Sequence, residues 1–137
     1  MESLFAEVDA RLTADALPLL LGGRPAGTLR QRAAALVQRR VAFFERIAPY
    51  KRAGNAKRRR SPFLGERHAQ LVRVLRAELG RWLPELRRAP TALADALELA
   101  TSFEAWDRLR SEQKLGRARA EAAVAHTALA LIRDLAR

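Results

Sequence analysis

The chain of 137 residues carries 26 Lys and Arg against 15 Asp and Glu, a formal net charge of +11, and no cysteine. Disulfides, thiol chemistry and a thiolate metal site are thereby excluded, and the longest apolar stretch, ALPLLLGG from Ala16 to Gly23, is less than half of the roughly 20 residues that span a membrane. Half of the residues are hydrophobic, many of them Ala and Leu, and 6% are aromatic, which suits packed helices in one domain that buries roughly two-thirds of its chain surface. Glu2, Glu7 and Asp9 make an acidic start unlike a signal peptide, so a cytoplasmic protein with no membrane contact is expected.

The first helix is predicted from Glu2 to about Leu20, where Leu4, Val8, Leu12, Ala16 and Leu19 or Leu20 return at helical spacing. GGRPAG, Gly22 to Gly27, ends it. Thr28 followed by Gln31 fits a capping box for a second helix, with an apolar stripe of Leu29, Ala33, Leu36 or Val37, Val41, Phe44 and Ala48. Pro49 is expected to interrupt it, leaving YKRAGNAKRRR either as a basic connection throughout or as one that begins with a short helix. Ser61 and Pro62 signal the next start, a side-chain cap and a residue that needs no amide partner. Leu64, His68, Leu71, Leu75, Leu79, Trp82 or Leu83, and Leu86 then mark a third helix that RRAP closes. A fourth is predicted over about 91–113, with Ala92, Ala96, Leu99, Phe103 and Trp106 on one side. A fifth follows Gly116, with Ala118, Ala122, Ala125, Leu129 and Ile132 on one face and Val124, Ala128, Leu131 and Leu135 on another. The expectation is an all-α domain of five to six antiparallel-packed helices.

Charge is uneven along the chain. Residues 24–60 hold 12 Lys and Arg and a single acid, Glu45, whereas residues 90–137 hold 7 of each sign. Such a block points either to an anionic partner or to compositional bias toward arginine.

ALADALELATSFEAWDRLRSEQKLGRARAEAAVAHTALALI, from Ala92 to Ile132, resembles the last two helices of the TetR-type transcriptional regulators. RVAFFERIAPYKRAG and SPFLGERHAQLVRVLRAELGRWLPEL resemble the middle of the same regulatory domain, and MESLFAEVDARL resembles the helix that follows the family's helix-turn-helix. The resemblance covers essentially residues 1–137. It implies a C-terminal ligand-binding and dimerisation domain whose last two helices form a four-helix bundle with a second copy. It also implies that the three small DNA-reading helices of a complete regulator, a repressor, are missing before Met1. Met1 is then expected to be an internal position or the start of a cut domain. Operator DNA would be read only through that missing part.

Within this frame His68 is the leading pocket residue, one polar group on an apolar face; a core histidine bonded to a carbonyl is the competing reading. Phe43, Phe44, Tyr50, Phe63, Leu71, Leu75 and Trp82 join it as pocket or plain core, for a small apolar or amphipathic ligand. Leu99, Phe103, Trp106, Arg110, Ala122, Ala125, Leu129 and Ile132 are expected at the dimer interface, with Glu104 and Asp107 at its rim and His126 near the seam; packing inside the monomer is the competing reading for Trp106 and the last helix, and a solvated surface position for His126. Lys51, Arg52, Lys57, Arg58, Arg59 and Arg60 form a basic patch, read either as a solvated connection or as a contact with nucleic-acid backbone. No cofactor, metal or enzymatic activity is expected, because no His-Glu-x-x-His, phosphate loop or cysteine nucleophile occurs. The other function the sequence suggests is a stand-alone basic helical protein that binds nucleic acid without reading it.

Overall fold

The computed structural model describes residues 2–135, the side chains of Glu2, Ser3 and Phe5 excepted, so Met1 lies outside the described residues. Among the described residues there are helices and no strand: α1 (Glu2–Leu21), α2 (Leu29–Lys57), α3 (Pro62–Trp82), a 3₁₀ turn (Pro84–Arg88), α4 (Thr91–Ala100), α5 (Phe103–Asp107) continued by a π-helical turn (Arg108–Glu112), and α6 (Arg117–Ile132). The long α2 is the centre, with α1, α3, α5 and α6 packed around it. Its Val37, Val41 and Phe44 meet Leu20 of α1, Leu79 of α3, Phe103 and Trp106 of α5 and Val124 of α6 in one buried core. The apolar stripe of α1 outruns that core. Ala16 and Leu20 are buried, but Leu4 and Val8 remain exposed.

The start signals work as the side chains dictate. Gln31 N donates to Thr28 Oγ1 at 3.1 Å, and Thr28 N donates back to Gln31 Oε1 at 2.9 Å. Leu64 N donates to Ser61 Oγ, with Pro62 opening α3. At the end of α1, Gly22 lies so close to the preceding turn that a Cβ there would stand 2.5 Å from Pro18 O.

Three borders depart from the sequence expectation. α2 does not stop at Pro49 but continues to Lys57, so the supposed basic connection is mostly helix. Proline deletes one hydrogen bond and crowds the preceding turn, at about 3 kcal/mol. Pro49 is on the exposed side, while Ile47, Ala48, Lys51 and Gly54 pack inward and hold the helix on course. α3 ends at Trp82 rather than Leu86, because Pro84 opens the 3₁₀ turn. The predicted fourth helix is broken at residues 101 and 102. Ser102 Oγ accepts from Ala105 N at 3.1 Å and so caps a new helix. Thr101 Oγ1 meanwhile donates back to Leu97 O at 2.7 Å, closing α4.

That break is held by a buried cation. Arg40 Nη1 donates to Thr101 Oγ1 at 2.8 Å and to its carbonyl at 3.1 Å, Nη2 to Leu75 O, and Nε to Glu78 Oε1 at 3.3 Å. One side chain thus ties α2 to α3 and to the α4–α5 corner.

Candidate functional site

α1, α2 and α3 enclose a cavity of about 250 Å³. Each helix lines it with one face at the 3.6-residue period. Asp9, Leu12, Thr13, Ala16 and Leu17 come from α1; Phe43, Ile47, Tyr50, Lys51, Gly54 and Asn55 from α2; Leu64, Arg67, His68, Gln70, Leu71 and Val74 from α3. The wall is mainly apolar, with a few polar groups converging on it, which is the composition of small-molecule sites.

Those polar groups form two sets. In the first, Lys51 Nζ donates to His68 Nδ1 at 2.6 Å, and His68 Nε2 faces Glu104 Oε1 of α5 at 3.9 Å. Burial lowers the Lys51 amine to about 8; nearby Glu104 opposes that shift and Arg58 adds to it. Burial also lowers His68, helped by the positive charges of Lys51 and Arg58 and opposed by Glu104. His68 is therefore the neutral partner and Lys51 the cation at neutral pH. Since Nδ1 accepts, the imidazole proton stands on Nε2, toward Glu104. In the second set, Arg67 Nη2 pairs with Asp9 Oδ2 at 3.0 Å and Arg67 Nη1 donates to Gln70 Oε1 at 2.5 Å. Tyr50 Oη donates to Asp9 Oδ1 at 3.5 Å. Burial raises the Tyr50 hydroxyl, and the charge of Asp9 adds to the effect.

Of the residues expected in a pocket, His68, Tyr50, Leu71 and Phe43 line this cavity. Phe44, Phe63, Leu75 and Trp82 do not. Phe44 points 100° around α2 from Phe43 and stacks edge-on against Phe103 at 5.7 Å. Leu75 and Trp82 are buried core, and their carbonyls receive Arg40 and Arg32. Phe63 is half-buried outside the lining. Lys51 is the main residue that the sequence reading misplaced: it is a buried pocket cation, 9% exposed, and no part of a solvated patch. Carrying the helical spacing past Pro49, through Ile47, Lys51 and Gly54, is the signal that would have found it.

No family model, curated protein or solved structure matches this chain.

The expected interface residues divide in the same way. Phe103 and Trp106 are each 1% exposed within the monomer, and Ile132 is buried as well, so none offers surface to a second copy. Trp106 Nε1 donates to Glu45 Oε2 at 2.9 Å, and Arg110 Nη2 pairs with Glu45 Oε1 at 2.8 Å. Burial pushes the Glu45 carboxyl up, but the bonds from Arg110 and Trp106 outweigh it and hold the group below its ordinary value. Asp107 pairs with Arg52 at 2.6 Å. Leu99, 69% exposed, and Ala122 lie on the outside, with Ala125 and Leu129 half-buried and His126 exposed. A second, open groove of about 880 Å³ runs near them, between the 3₁₀ turn, Ala92, Leu93 and Ala96 of α4, and Leu131 and Leu135 at the end of α6.

Four of the twelve basic residues in 24–60 pair with carboxylates, Arg40 in the interior and Arg46 and Arg52 at the surface. Arg32 pairs with Glu85, Arg40 with Glu78, Arg46 with Asp15 and Arg52 with Asp107. Arg58 bonds Asn55, and Arg59 and Arg60 are exposed beside Lys57 in the turn after α2. No helix is long and apolar enough to cross a membrane, and no cluster of His, Asp and Glu among the described residues has the makings of a metal site.

Proposed function

We propose that this chain is the ligand-sensing and pairing unit of a TetR-type transcriptional repressor. The cavity between α1, α2 and α3 is the observation that carries the reading: a largely apolar wall with a buried amine and a neutral imidazole is built to hold a small molecule rather than to fill a core. The resemblance of the four sequence stretches supports the regulator. The exposed Leu99 and Ala122 support pairing, since cyclic pairs are the commonest soluble oligomers. In a complete regulator the ligand would act by favouring one of two conformations of the pair.

A stand-alone nucleic-acid coat is less well supported. Four arginines of the basic block are spent on carboxylates and Lys51 is buried, so the phosphate-facing charge shrinks to the turn after α2 and scattered arginines.

Sedimentation and DNA titration test the reading together. The chain is expected to sediment as a pair, and Leu99→Glu as a folded monomer, because a side chain this exposed adds little to the monomer's own stability. Duplexes of unrelated sequence should bind negligibly at physiological salt. A monomer at every concentration, or tight and steeply salt-dependent binding of unrelated duplexes, overturns the proposal.

A further inference from the structure

The cavity also specifies its ligand's chemistry, an inference that rests on the sensor reading. Its ionisable lining holds Lys51 and Arg67 against Asp9 alone, with His68 neutral, so one positive charge is left over. Arg67 and Asp9 already satisfy each other. Among the described residues His68 is the only hydrogen-bond acceptor of Lys51 Nζ, and an ammonium has three protons to give. Much of the remaining wall is hydrocarbon, from Leu12, Phe43, Ile47 and Leu71. Size completes the description. A cavity of about 150 Å³ admits benzene, so 250 Å³ admits a molecule of about ten non-hydrogen atoms.

We infer that the α1–α3 cavity binds a small amphipathic monocarboxylate, with the carboxylate on Lys51 and the hydrocarbon part along Phe43, Ile47 and Leu71. A carboxylate gives the buried ammonium a charged acceptor where an alcohol gives only a neutral one, and a cation meets repulsion. The charged groups around Lys51 are Asp9 on α1, Arg58 in the turn after α2, Arg67 and His68 on α3, and Glu104 on α5. Of these, Glu104 is exposed at the far side of His68 and does not line the cavity.

Calorimetry of the intact chain with octanoate, 3-phenylpropionate, 1-octanol and octylamine decides the matter. Octanoate should bind about tenfold or more tighter than 1-octanol, the worth of one charge-assisted hydrogen bond, and octylamine should not compete. The alkyl and aryl acids separate a chain-shaped from a ring-shaped hydrocarbon site. Octanoate affinity should fall as the pH rises past about 8, where Lys51 loses its charge, while 1-octanol affinity stays flat. Lys51→Met should abolish the preference for the acid. Equal binding of acid and alcohol, preferred binding of the amine, or an acid preference that survives in Lys51→Met overturns the inference. The pH series needs no substitution and so stands even if the variant folds poorly. Sedimentation of the same samples separates the two claims. A pair that ignores octanoate defeats the ligand class alone, and a monomer that binds it defeats the pairing alone.

Discussion

Arg40 and Lys51 are two buried cations on one helix, in opposite states of satisfaction. Arg40 has fixed acceptors on every side: the Glu78 carboxylate, the Thr101 hydroxyl and carbonyl, and the Leu75 carbonyl. Lys51 has one neutral imidazole and a cavity. Burial lowers the pKa of both; at Arg40 the charge and hydrogen bond of Glu78 pull the other way, whereas at Lys51 Glu104 opposes burial by charge alone. Glu78 shows the cost of such a pair, for burial raises its carboxyl despite Arg40. A cation with every nitrogen bonded within the protein serves architecture. A cation with donors to spare, beside empty space, is equipped for a ligand.

The comparison breaks first at Arg40. Arg40→Ala should cost about 3–5 kcal/mol in urea or thermal unfolding, because Glu78 is left as a buried charge without a partner. The double variant Arg40→Met with Glu78→Leu should recover much of that loss. Thr101→Val removes one acceptor of Arg40 and the bond that closes α4, and should cost about 1–2 kcal/mol in the same measurement. Lys51→Met, by contrast, strands no charge and should stay within about 1 kcal/mol of the parent chain. It should also flatten a pH trend. The folded chain binds the Lys51 proton less tightly than the unfolded one, so stability rises between about 8 and the ordinary lysine value of 10.5, and the variant should lack that rise. The smallest effect belongs to a cation at the surface. Arg32 holds the Glu85 carboxyl down to about 2, so this pair's contribution is whole above 4.5 and fades as the pH falls from there, a slope that Glu85→Gln should remove.

Local chemistry was the most legible part of the sequence. Thr28 with Gln31 and Ser61 with Pro62 begin their helices through bonds that any reader of the pattern expects. His68 and Leu71, on the apolar stripe predicted for the third helix, both line the cavity. What failed needed knowledge of neighbours. Pro49 argues for a break until the inward side of α2 is known to lie on α3. Ser102 reads as one more helical residue until Arg40, far away in sequence, is seen to anchor Thr101 beside it. Phe103 and Trp106 pass for interface aromatics in a helix that runs straight from Thr91. Once the helix bends there, they turn into the core, and Leu99 is left outside.

The unbroken passage of α2 through Pro49 has a mechanical side. At 1.5 Å per residue, Lys51 stands about 16 Å along the axis from Arg40. Pro49 removes one of the backbone bonds that resist bending between the two, while Ile47, Ala48, Lys51 and Gly54 stay packed inward on either side of it. If the cavity holds a ligand as proposed, a shift in this half of the helix would pass to the side chains that join it to its neighbours: Lys51 through His68, which faces Glu104, and Arg52, bound to Asp107. Both lead to α5.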